Sequence, residues 1–222
     1  MRMDKELKQL IDSARACVFD FDGTVADTEA FHYGLYQRIL GRRYGVTLDW
    51  PHWLNYIGRT DPDFHRMMEA DYGMTIDSQP VMKEYFALLE AEEPSAVQPY
   101  PWVKEVLQAC REKGIPACIL SSGNRDVICA CLKAWGLYGY FEDENIISVS
   151  AGIFTKPDVF ADPARYLKGF GGTSEDVLLF EDSIHTITKA LACGIGMVAG
   201  VPHGYNEGIG TYCDICIGED AE

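Results

Sequence analysis

The sequence of 222 residues is short of positive charge: 19 Lys and Arg stand against 34 Asp and Glu, for a net charge of −15. A field of that sign repels phosphate backbones and anionic headgroups, so neither nucleic acid nor an anionic membrane surface is an expected partner. Long apolar runs are missing as well. The longest stretch of apolar residues and glycine, Ala190 to Val201, falls far below the ~20 residues of a membrane-spanning helix. The opening MRMDKELKQLIDSAR is charged and helix-patterned and lacks the apolar core of a signal peptide, so a cytoplasmic location is expected. The eight cysteines sit in a chain with 47% hydrophobic residues, long enough to build its own core. A disulfide scaffold belongs to short secreted chains that cannot do so, and free thiols are expected. Cys213 and Cys216 have C-x-x-C spacing, but a zinc site needs four ligands and no second matching pair is present.

What is present is an alternation of short apolar runs with helical patterns, which predicts a parallel sheet covered by helices. Ala16–Phe19, Ala117–Leu120, Ile146–Val149, Val177–Phe180, Gly196–Ala199 and Asp214–Ile217 read as strands. Continuous apolar runs of this kind are buried on both faces. Pro101 opens a helix with Val103, Val106, Leu107 and Cys110 on one face, and Gly114 stops it. Arg125–Trp135 is a second helix. Ser183 caps a third, which is expected to bury Ile184, Ile187 and Leu191. Residues 28–98 differ in kind: helical patterns, many aromatics and arginines, no convincing strand. They predict a helical domain inserted after the first strand, the α/β core being residues 1–27 and 99–222. Its acidic, proline-rich exit, Glu90 to Pro101, is expected to be a hinge.

Ligands of open parallel sheets bind at the carboxyl ends of the strands. The first strand here ends in Asp20-Phe-Asp22-Gly-Thr24, the second in Ser121-Ser122-Gly123, and the fourth in Glu181-Asp182-Ser183. Four converging carboxylates call for a cation between them, and oxygen-only ligands suit Mg²⁺. Beside such a site, a hydroxyl and an amine suit phosphoryl transfer, with Ser121 and Lys156 as the candidate donors.

On these residues the chain resembles the haloacid dehalogenase-like hydrolase superfamily. DFDGTVADTE at 20–29 is similar to its first motif, Ser121 to its second, Lys156-Pro157 to its third and Glu181-Asp182-Ser183 to its fourth, in the family's order and across nearly the whole chain. The insertion resembles the helical cap of phosphoglycolate phosphatase-like and β-phosphoglucomutase-like enzymes, and the resemblance implies a Rossmann-like, doubly wound core. It further implies Asp20 as nucleophile and Asp22 as general acid and base. Mg²⁺ would be held by Asp20, Asp182 and the Asp22 carbonyl, with Glu181 acting through a water. Ser121, with Ser122, Gly123 and Asn124 nearby, would bind phosphate, and Lys156 would pair with both phosphate and Asp20. His32, Arg59 and Thr60 would face a small phosphorylated substrate from the cap.

The implied activity is hydrolysis of a phosphomonoester. A β-phosphoglucomutase-like mutase uses the same aspartate, but where such relatives carry a phosphate-gripping arginine this chain has Asp61, with Arg59 two residues earlier. A receiver-like phospho-aspartate switch also combines carboxylates, Mg²⁺, hydroxyl and lysine. It needs neither an acid two residues on nor a water-excluding lid.

Overall fold

The computed structural model describes residues 5–57 and 61–218. The chain separates into two compact units, residues 1–27 with 98–222, and Thr28–Val97. The first begins with helix α1 (Lys5–Ser13) and strand β1 (Ala16–Phe19). The second consists of α2 (Glu29–Tyr44), α3 (Trp50–Leu54), α4 (Asp61–Tyr72) and α5 (Ser78–Ala96). The first then resumes with α6 (Pro101–Lys113), β2 (Ala117–Ser121), α7 (Arg125–Ala134), β3 (Ile146–Ser148), α8 (Lys156–Ala161) and α9 (Pro163–Tyr166). It finishes with β4 (Val177–Glu181), α10 (Ile184–Ala192), β5 (Met197–Gly200) and β6 (Ile215–Cys216).

The six strands form one parallel sheet in the order β3-β2-β1-β4-β5-β6. This is the Rossmann-like α/β architecture expected from the alternating pattern. The central strands β1, β2 and β4 are buried at every residue, and alternate side chains feed two cores. Ala16, Val18, Cys118, Leu120, Val177 and Leu179 pack with Val159, Phe160, Ile187 and Ala190 from α8 and α10. On the opposite face Phe19 stacks on Phe180 with ring centroids 4.4 Å apart, and Trp102 of α6 lies over the same Phe180. Gly114, at φ 67°, ends α6 with its N–H on the Arg111 and Cys110 carbonyls, as a left-handed C-terminal glycine does.

Two sequence expectations are corrected here. Leu191 is 43% exposed, because the buried face of α10 runs through Ile187, Ala190 and, beyond the helix, the half-buried Cys193. At 3.6 residues per turn, a residue next to Ala190 stands about 100° away from that row. Of the segment Glu90 to Pro101 expected as a hinge, the part as far as Ala96 is the end of α5, with Pro94 inside it and Glu93 buried, which leaves only residues 97–100 between α5 and α6. Pro94 sits in the last turn, so its missing N–H removes only one terminal hydrogen bond.

The helical unit has an aromatic core of its own. Tyr36, Trp53, Tyr56 and Phe64 pack with Ile39, Leu40, Leu48, Met68, Ile76 and Val81. The Trp53 indole N–H donates to Glu29 Oε2 at 3.2 Å, which satisfies its one polar atom within the core.

Candidate active site

Each strand that meets β1 ends in a polar residue, and the parallel register brings those ends level. Phe19 pairs with Phe180 and with Ile119, so Asp20, Glu181 and Ser121 emerge at the same edge of the sheet. Asp20 is buried. Its N–H continues the ladder to the Phe180 carbonyl at 3.0 Å, and its Oδ1 accepts the Phe21 N–H at 2.8 Å. Lys156, the first residue of α8, reaches its ammonium to Asp20 Oδ2 at 2.9 Å and to Glu181 Oε2 at 3.2 Å. Helix α8 is aimed by a reciprocal capping box between Thr155 and Asp158.

Asp182 is fixed from three directions. Thr24 Oγ1 donates to Oδ1 at 3.0 Å, Tyr205 Oη donates to Oδ2 at 3.0 Å, and Asn206 Nδ2 donates to the Asp182 carbonyl at 2.7 Å. The turn after Asp20 closes against it: Gly23, at φ 74°, comes so near that a Cβ there would lie 2.4 Å from Asp182 Oδ2. Glycine is therefore needed at position 23 for both backbone conformation and space.

Asp20, Glu181 and Asp182 each offer a carboxylate oxygen within 4.8 Å of the others, and all three are buried. Burial, and then the charge of Asp20, push the Glu181 carboxyl well above its ordinary value, against the pull of Lys156. The same two causes push Asp182 up to about 7, against hydrogen bonds from Tyr205 and Thr24. Burial alone would lower the Lys156 ammonium, but the Asp20 and Glu181 carboxylates outweigh it and hold it above its usual value. One ammonium among three carboxylates leaves an excess of negative charge in a desolvated place. That is a site a divalent cation fits, and the all-oxygen donor set is of the hard kind.

Asp22 is half-buried, and its carboxylate lies outside this group of three. It converges instead with the end of β2: a Cβ on Gly123 would lie 3.2 Å from both Asp22 Oδ2 and Ser121 Oγ. Ser121 is fully buried, and its Oγ accepts the Gly123 N–H at 2.8 Å. Ser122 is exposed. Asn124 caps α7, its Oδ1 accepting the N–H groups of Asp126 and Val127, so its position already has a structural explanation. In the helical unit, His32 Nδ1 lies 2.9 Å from Tyr85 Oη. Arg59 and Thr60 lie outside the described residues.

Sequence reasoning missed Tyr205, Asn206 and their neighbour His203, whose Nε2 is 2.6 Å from the Gly23 carbonyl. The available signal was position alone. These residues follow β5, and the loop leaving the carboxyl end of a parallel strand is where polar residues meet a site.

Known proteins resemble this chain in sequence and in fold. The model of the family described as haloacid dehalogenase-like hydrolase matches residues 17–200. The Bacillus subtilis protein named "Putative phosphatase YhcW" is 28% identical over 192 residues, 83% of this chain and 82% of that protein. The phosphoglycolate phosphatase of Agrobacterium fabrum is 24% identical over 200 residues, 86% of this chain and 81% of its own length. In fold, the chain is similar to a crystal structure of a family hydrolase from Deinococcus radiodurans with bound phosphate and sodium, at a TM-score of 0.68 and 22% identity, covering 92% of this chain and 90% of that one. Because the family match spans residues 17–200, most of the sequence, the chain belongs to the haloacid dehalogenase-like hydrolase family.

Proposed function

We propose that the protein is a Mg²⁺-dependent phosphatase that hydrolyses a phosphomonoester of a small metabolite through an aspartyl-phosphate on Asp20. The observation that carries this reading is the Lys156 ammonium held between Asp20 and the buried Glu181, with Asp182 in the same carboxylate group. Relatives named as phosphatases support the same reaction class.

Asp20 is held by the Phe21 N–H and by Lys156, which fixes its carboxylate for attack on phosphorus. A bond forms between Asp20 and phosphorus as the ester P–O bond breaks, and Asp22 gives its proton to the departing oxygen. The ionised Asp22 then takes a proton from a water that attacks the phosphorus of the aspartyl-phosphate. Phosphate leaves, and both aspartates return to their starting states. Ser121 directs its hydroxyl proton, and Lys156 its ammonium, at the other phosphate oxygens. Glu181 keeps Lys156 in position, its second oxygen being anchored by the Ser183 N–H at 3.1 Å. Asp20, Asp182 and the Asp22 carbonyl would hold Mg²⁺, with Glu181 behind them, and when bound the ion supplies charge that draws a phosphate oxygen toward Asp20. The helical unit would serve as a cap, with His32, Arg59 and Thr60 toward the substrate.

The test is phosphate release from a panel of phosphate esters, sugar phosphates and nucleotides. Release that is abolished by Asp20→Asn and by chelator is the expected result. Sugar phosphate interconversion that requires a bisphosphate primer, without net release, would instead make the protein a mutase. A long-lived phospho-aspartate without turnover would make it a switch.

A further inference from the structure

Cys213 and Cys216 take no part in the site above, and their sulfurs lie 3.6 Å apart. We propose that these two cysteines are a redox-active dithiol, the preferred oxidation site of the chain, which closes to a reversible disulfide when it meets a peroxide. Spacing and fold bring them together. Cys213 lies in the bend that leads into β6, Cys216 is the last residue of that two-residue strand, and the Cys213 thiol also contacts the Ile209 carbonyl at 3.5 Å. A disulfide bond is about 2.05 Å long, so the sulfurs must approach by roughly 1.5 Å. Strand β6 is the outer strand of the sheet, paired on one side to β5 through Ala199↔Ile215 and Gly200↔Cys216. An edge of this kind can make such a shift while the central strands stay in place.

The other thiols are poorer candidates. Cys17, Cys110, Cys118, Cys129 and Cys131 are all buried. Cys17 and Cys110 do meet as a second thiol pair, in which their hydrogen bond, with burial, holds the Cys17 thiol well above its ordinary value and the same bond lowers that of Cys110. Both thiols of that pair are fully buried beneath the sheet and helix, which keeps an oxidant from them. Cys193 is half-buried as well, and oxidation that starts there is one of the outcomes read by the experiment below. Cys213 and Cys216 are both half-buried and belong to no group of three potential metal ligands among those residues, which favours thiol chemistry over metal binding.

The reaction balances with a peroxide as oxidant. One thiolate attacks a peroxide oxygen; an S–O bond forms, the O–O bond breaks, and the released hydroxide takes a proton to become water. The second sulfur then displaces the sulfenic hydroxyl, forming the S–S bond and releasing a second water. The dithiol loses two electrons and two protons, and the peroxide is reduced to two waters. A dithiol reductant reverses the change by thiol–disulfide exchange.

The experiment treats the full chain with limiting hydrogen peroxide, alkylates free thiols after denaturation, and maps each cysteine by mass spectrometry. The expected result is an intramolecular Cys213–Cys216 disulfide that forms before any other cysteine is modified and is lost on reduction. In Cys213→Ser and Cys216→Ser, the remaining thiol should instead be trapped by dimedone as a sulfenic acid. Both single variants retain the core cysteines, and their thermal unfolding shows directly whether they fold. Oxidation that begins at any other cysteine, or a Cys213–Cys216 peptide that keeps both thiols while the rest of the chain oxidises, overturns the proposal.

Discussion

Replacing Asp182 by asparagine should make the metal-free protein more stable, and only at neutral and alkaline pH. In the folded chain this carboxyl is pushed from 3.8 up to about 7 by burial and by the charge of Asp20. A carboxyl raised in the folded state contributes stability that is complete below its unfolded value and is lost as pH rises through the folded one. The window is therefore 3.8 to about 7. At 1.36 kcal/mol per unit, ionising Asp182 costs on the order of 4 kcal/mol once pH is above that window. Asparagine keeps an oxygen for Thr24 and an amide for Tyr205 but has no charge to desolvate. In a protein of this size each kcal/mol shifts the melting temperature by roughly 2–4 °C. Thermal unfolding in chelator at about pH 8 should thus place Asp182→Asn well above the parent, with the gap closing toward about pH 4. Addition of MgCl₂ should raise the melting temperature of the parent and raise that of the variant much less. A variant that is equally destabilised at both pH values would refute the reasoning, because the carboxylate would then be a stabilising partner rather than a charge awaiting a cation.

Other outcomes follow from the same geometry. Gly23→Ala, which forces a Cβ toward Asp182 Oδ2 at a positive φ, should cost about 1–3 kcal/mol in urea unfolding and weaken the MgCl₂-induced rise in melting temperature. Tyr205→Phe removes the hydroxyl that donates to Asp182 Oδ2; it should shift the midpoint of a Mg²⁺ titration by about tenfold, from the ~1.5 kcal/mol of a hydrogen bond to a charged group, with little change in overall fold by circular dichroism. In α10, Ile187→Ala should cost about 2–5 kcal/mol while Leu191→Ala stays within about 0.5 kcal/mol, because the first side chain is fully buried and the second is 43% exposed. Equal losses at the two positions would contradict the observed face of the helix.

The sheet was legible in the sequence because continuous apolar runs such as Ala16–Phe19 and Val177–Phe180 admit few other readings in a chain of this composition. The strand ends were less so. Ser121 pairs with Ser148, and Glu181 with Gly200, inside the ladder, so two polar residues read as following their strands are part of them. Periodicity put Leu191 on the buried face of α10, yet the choice between it and Ala190 turns on how the helix lies on the sheet, which spacing does not encode. The motif residues Asp20, Asp182, Glu181 and Lys156 were legible because their chemistry is local and their order distinctive. Tyr205 and Asn206 were not, since a tyrosine and an asparagine in a loop carry no pattern until the fold brings them to Asp182. Asn124 was named beside Ser121 through the resemblance alone; that its side chain caps α7 is a further role that the sequence pattern left unmarked.

The most direct test of the central claim is to stop turnover of an active phosphate ester with acid and locate any covalent phosphoryl group by peptide mass spectrometry. A phosphoryl group on Asp20 that disappears on hydroxylamine treatment, and is absent in Asp20→Asn together with all phosphate release, is the predicted result. Turnover that continues in Asp20→Asn, or a phosphoryl group trapped on any other residue, would contradict it.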